Sequence, residues 1–109
     1  MENSNIDDVN EEFDIARLRA LAELGNEDAQ CQLGVCYKFG LGVEEDEVQA
    51  ATWYGKAAES GNADAQCILG NCYKEGYGVE QDDDMAVYWY AKSAEQDNAE
   101  VLRRKSATR

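Results

Sequence analysis

The chain has 109 residues, enough for one small domain or a short stack of repeats. Hydrophobic residues make up 44% and charged ones 30%, which suits a folded chain, while 23 acidic against 10 basic residues leave a net charge of −13 that repels nucleic-acid backbones and anionic lipid. No histidine is present, so the commonest general base and the imidazole metal ligand are missing, and no apolar run approaches the roughly 20 residues of a membrane span.

Met1 to Glu12 is acidic and polar, without the basic start and apolar run of a secretory signal. Residues 1–10 are therefore expected to form a disordered acidic terminus. Residues 11–24 fit the second half of a repeat and predict an N-terminal capping helix, with Phe13, Ile15, Leu18, Leu21 and Leu24 supplying apolar surface. Two full repeats follow, 25–60 and 61–96. They align without a gap, and 22 of the 36 positions are identical, which chance does not produce.

Each repeat carries two helical patterns. In the first, Ala29, Leu33, Cys36 and Tyr37 share one helix face, as do Ala65, Leu69, Cys72 and Tyr73 one period later. In the second, Ala50, Trp53, Tyr54, Ala57 and Ala58 do the same, matched by Ala86, Trp89, Tyr90, Ser93 and Ala94. Asn26, Asp46, Asn62 and Asp82 are the expected N-caps, and Gln49 completes a capping-box-like pair with Asp46. The connecting loops Gly40–Val43 and Gly76–Val79 hold paired glycines, with a valine to plug the core. Gly34 and Gly70 lie inside helices at a cost of about 1 kcal/mol each, so another backbone is expected to approach them closely. After the repeats, residues 97–109 are expected to form a C-terminal capping helix, over 98–105, and a basic tail that includes Arg103, Arg104 and Lys105.

One helical hairpin cannot bury both of its apolar sides. Stacked hairpins can, so the fold class is all-α, an α-solenoid of helix–turn–helix repeats. Two repeats fall short of the roughly three needed for stability, and the capping helices must complete the stack.

The string Gly-Asn-x-Asp-Ala-Gln-x-x-Leu-Gly-x-x-Tyr-x-x-Gly-x-Gly-Val, followed by Ala-x-x-Trp-Tyr-x-Lys, resembles the Sel-one-like repeat, a relative of the tetratricopeptide repeat. Glu44 and Glu80 stand where that family often has proline. The resemblance implies a right-handed superhelix of helix pairs that acts as an adaptor or scaffold without catalysis. It also implies a concave face lined by the first helix of each pair. Carried over on the Leu-Gly-x-x-Tyr anchor, the lining falls on Asp28, Cys31, Val35, Lys38 and Phe39 in the first repeat. In the second it falls on Asp64, Cys67, Asn71, Lys74 and Glu75. A helical wheel agrees, since Asp28, Cys31, Val35 and Lys38 lie away from the apolar stripe. The mismatched pairs Gln32/Ile68, Val35/Asn71 and Phe39/Glu75 mark surface, because core positions match between repeats.

The cysteine pairs Cys31/Cys36 and Cys67/Cys72 are spaced poorly for zinc, because residues five apart on a helix diverge by about 140°. They are expected to be reduced thiols, Cys36 and Cys72 in the core, in a cytoplasmic setting. The acidic runs 44–47 and 80–84 lack the ligand alternation of a calcium loop and read as helix starts. No cofactor or metal is expected. The expected partner is a protein or peptide with basic patches. The alternative is a self-assembling unit, stacked head to tail or as a homodimer.

Overall fold

A computed structural model describes residues 14–107, with side chains described through Asp97. Residues 1–10, expected to be a disordered terminus, lie outside the described residues, as does Phe13. Five helices follow one another: α1 (Ile15–Glu23), α2 (Glu27–Phe39), α3 (Glu47–Glu59), α4 (Ala63–Glu75) and α5 (Asp83–Ala107). The cap residues set their starts. Asn26 accepts from the Ala29 N–H at 2.9 Å, Asp46 from Gln49 at 3.0 Å, Asn62 from Ala65 at 2.8 Å and Asp82 from Met85 at 3.1 Å. Asp14 does the same for α1 through the Arg17 N–H. Each such bond occupies a donor that the first helical turn cannot satisfy.

The principal packing is sequential: α1 on α2, α2 on α3, α3 on α4 and α4 on α5. With only helices among the described residues, the architecture is an all-α helical-repeat solenoid. Alanines 50, 51, 57 and 58 of α3 are all buried, which lets helices close on both sides of it. Tyr54, Ala65, Leu69, Cys72 and Trp89 complete the larger core cluster. Ala22, Ala29, Leu33 and Trp53 form a second cluster toward α1. Gly34 and Gly70 are indeed contact points, but the neighbour is chiefly a ring. A Cβ at Gly34 would sit 2.8 Å from the Tyr54 ring, and one at Gly70 would sit 2.8 Å from the Tyr90 ring.

Buried glutamines clip successive repeats together. The Gln30 amide donates to the Ala22 carbonyl at 3.0 Å, and Gln66 donates to the Ala58 carbonyl at 3.1 Å. Each carbonyl also accepts a backbone N–H from just past its helix, Gly25 to Ala22 and Gly61 to Ala58, both at 3.0 Å, so the glutamine occupies the second lone pair.

Three expectations need correction. Leu21 and Leu24 are exposed, at 41% and 83%, because the inward face of α1 runs through Ile15, Leu18 and Ala22. Ala94 is also exposed, since among the described residues no helix lies beyond α5 as α4 lies beyond α3. The separate helix expected over 98–105 does not form, and α5 runs unbroken to Ala107. The turns after α1 and α3 use Gly25 and Gly61 at φ +99° and +105°. Asp97 stands at the next equivalent position, where a Cβ disfavours that conformation, and the helix continues.

Candidate interaction surface

The α2–α4 face is built from two copies of one helix, so differences between the repeats decide its chemistry. The loop after α4 brings in one more group. Its Tyr77 N–H donates to the Cys72 carbonyl at 2.9 Å and its Asp82 N–H to the Tyr73 carbonyl at 2.9 Å, which straps the loop to α4. Gly78 lies so close to the start of α3 that a Cβ there would collide with the Glu47 carbonyl. Tyr77 is thereby pressed against the core, half-buried, in place of Leu41 of the first repeat.

A pocket of about 150 Å³ opens on this face, lined by Lys38, Ile68, Asn71, Cys72, Glu75 and Tyr77. Ile68 and the Tyr77 ring give it apolar walls. The Lys38 ammonium lies 5.6 Å from the centre of the Tyr77 ring and 5.4 Å from that of Phe39, within cation–π reach of both. Asn71 is exposed, and its Oδ1 accepts from the Tyr90 hydroxyl. That bond turns the Asn71 NH2 outward as a donor. The Tyr77 hydroxyl is buried with no hydrogen-bond partner. Burial, with the nearby acids Glu47 and Glu45 adding to it, pushes the Tyr77 phenol upward, so it stays a neutral donor.

The ten expected lining residues separate into groups. Lys38, Asn71 and Glu75 meet at the pocket, and Phe39 is 63% exposed beside it. Val35 instead packs against the core, so the Val35/Asn71 mismatch exchanges a packing residue for a surface one. Asp28 and Asn62 meet at 3.3 Å across the repeat boundary. Asp64 stands near Cys31, whose thiol is pushed upward first by burial and then by Asp64 and Asp28. Cys67 and Lys74 are exposed and do not line the pocket, and the Lys74 carbonyl accepts from the Gln81 amide at 2.8 Å. The sequence reading left Ile68, Cys72 and Tyr77 out of the lining and missed Tyr90 as the group that orients Asn71. The Gln32/Ile68 mismatch and the loop position of Tyr77 were the available signals.

All four cysteines carry free thiols, with Cys36 and Cys72 buried. Burial raises both of these thiols; at Cys72, Lys38 opposes the rise. Among the described residues, no group of three or more His, Cys, Asp or Glu is placed to hold a metal ion. No helix among them is long and apolar enough to cross a membrane.

Tandem helical hairpins joined by glycine-strapped loops define a helical-repeat protein. The Sel1 repeat family model matches residues 27–62 and 63–98, and the chain belongs to that family. Sel1 repeats generally mediate protein–protein binding and generally serve as non-catalytic scaffolds. Among solved structures, a Sel1 repeat protein from Oxalobacter formigenes is 40% identical with a TM-score of 0.73, over 75% of this chain and 63% of that one. A protective antigen present in uropathogenic Escherichia coli strains, displaying an SLR fold, is 42% identical with a TM-score of 0.71. That match covers 72% of this chain and 17% of the antigen, so this chain spans under two thirds of the length of both. Among curated proteins, none matches significantly.

Proposed function

We propose that this chain is a non-catalytic adaptor that holds an extended peptide, or a partner's surface loop, across the face of α2 and α4. One observation carries this reading: Ile68, Asn71, Glu75 and Tyr77, all at positions where the repeats differ, line one pocket. Framework positions match between repeats, so a hollow with four mismatched residues among its six is a specificity element. Its volume suits a single side chain. The outward Asn71 amide suits a backbone carbonyl, and Phe39 and Ile68 offer apolar contact. The net charge of −13 favours a partner with basic patches elsewhere in its footprint. Free thiols suit a reducing compartment, and we place the protein in the cytoplasm on that ground.

Selection of binding peptides from a displayed library, followed by calorimetric titration, tests this. Asn71→Ala and Tyr77→Leu should each weaken a selected peptide about tenfold, the scale of one lost buried contact. Unchanged affinity in both variants would remove the α2–α4 face from consideration.

A further inference from the structure

We propose that the pocket between α2 and α4 selects the side-chain amide of a glutamine or asparagine in the bound peptide. The inference rests on the peptide reading above and adds the chemistry of the anchor. The pocket carries one charge of each sign, taken from different repeats: Lys38 on α2 and Glu75 on α4. The two do not pair with each other. The Lys38 ammonium lies instead against the Phe39 and Tyr77 rings, 5.4 and 5.6 Å from their centres, and Glu75 is exposed. Both charges still act at one place, the buried Cys72 in the pocket wall. Burial raises its thiol, Lys38 lowers it and Glu75 raises it again. The pocket is thus a gap between a cation and an anion, walled by Ile68 and the Tyr77 ring. This pair is particular to the junction. Lys38 recurs as Lys74, but Glu75 stands where the first repeat has Phe39.

An occupant is judged by what it does to both charges. An apolar side chain strips water from each and returns no hydrogen bond, which is costly. A carboxylate suits Lys38 but is opposed by Glu75 and by a body of net charge −13. A second cation suits Glu75 but is opposed by Lys38. A hydroxyl holds its donor and acceptor on a single oxygen, which is too compact to face two walls. A primary amide is neutral and sets its acceptor and its donors on separate atoms. Its oxygen accepts from the Lys38 ammonium, its NH2 donates to the Glu75 carboxylate, and its methylene stem lies along Ile68 and the Tyr77 ring. Hydrogen bonds with one charged partner are the stronger kind, so both bonds favour this occupant. The outward Asn71 NH2 stays available to the peptide backbone.

Peptides selected from a displayed random library should share a glutamine or asparagine. In calorimetric titration, glutamate, lysine or methionine at that position should each weaken binding about tenfold. The preference should also be switchable. Glu75→Gln leaves Lys38 as the only pocket charge and should turn the preference to glutamate. Lys38→Met keeps an apolar stem on the rings, leaves Glu75 alone and should turn the preference to lysine. A merely structural role would weaken every peptide alike in the two variants. Selected peptides that need Asn71 and Tyr77 yet share an apolar or charged anchor overturn this inference and leave the peptide reading standing. Preferences unaltered in both variants overturn it as well, and a library that yields no binder removes both readings.

Discussion

Gly34 and Gly70 meet their tyrosines at the same distance, yet the surroundings predict unequal costs. Tyr54 is 1% exposed between α2 and α4 and has nowhere to move, whereas Tyr90 stands on the open face and can swing outward. Gly34→Ala gains about 1 kcal/mol of helix propensity but meets overpacking of about 1–3 kcal/mol. It should therefore be net destabilising, read as a lower urea midpoint. Gly70→Ala should cost less in the same measurement, its residual cost set by the Ala86 carbonyl, which stands 3.3 Å from the new Cβ and cannot swing away. It should still weaken peptide binding, because a displaced Tyr90 releases Asn71. Equal losses at the two sites would contradict this account. The paired glutamines make a second contrast. The Gln66 Oε1 accepts from the Gln96 amide at 2.9 Å, while the Gln30 Oε1 is buried with no partner. The residue equivalent to Gln96 is Ser60, whose short hydroxyl bonds instead to the Lys56 carbonyl. Ser60→Gln supplies the missing donor and should add about 1 kcal/mol of stability, the net value of one such bond. Chemical denaturation decides it, and a loss would mean that the Gln30 oxygen is satisfied another way.

At the level of elements, a single residue decides whether a helix turns back. Asp97→Gly restores the residue type that adopts φ near +100° after α1 and α3. The variant should end α5 near residue 96 and unwind the following turns, lowering helical ellipticity by about a seventh and removing amide-exchange protection over 98–107. An unaltered exchange pattern would show that the helix is held by something other than its missing glycine. The same residue explains why the end of the chain was misread. Period, caps and helix faces were legible because local rules write them twice: Asn26 with Asn62, Asp46 with Asp82, Leu33 with Leu69. The departure turns on one position, where Asp97 stands one period after Gly61 and two after Gly25. The candidate site was legible in part. Mismatched positions pointed to Asn71, Glu75 and Ile68. The wheel could not separate Val35, which faces the neighbouring repeat, from Lys38, which faces the pocket. Angle around a helix does not tell which neighbour fills the space. Tyr77 reaches the pocket only because Gly78 lets its loop lie against α3, a contact between repeats that no local pattern records.

For the whole molecule, the charge inventory sets how stability responds to pH. With no histidine in the chain, no imidazole titrates between pH 5 and 8. The groups that do couple to folding are acids held neutral. Burial raises the thiols of Cys31, Cys36 and Cys72 above their ordinary 9.0, and the phenols of Tyr54 and Tyr77 above their ordinary 10.0. Below those ordinary values, folded and unfolded chains bind the same protons at these sites, and their contribution is fully present. Above about pH 9 the unfolded chain ionises first, the folded state holds more protons, and stability must fall as pH rises. The fall begins with the thiols and steepens as the phenols join near pH 10, while each new anion adds to an already negative body. Urea midpoints should thus be level from about pH 7 to about pH 9 and decline beyond. Tyr54→Phe keeps the ring against Gly34 but removes one titrating group, so its decline above pH 10 should be shallower than that of the parent. A parent midpoint that stays level to about pH 11 would mean that these groups ionise as readily inside the fold as outside it.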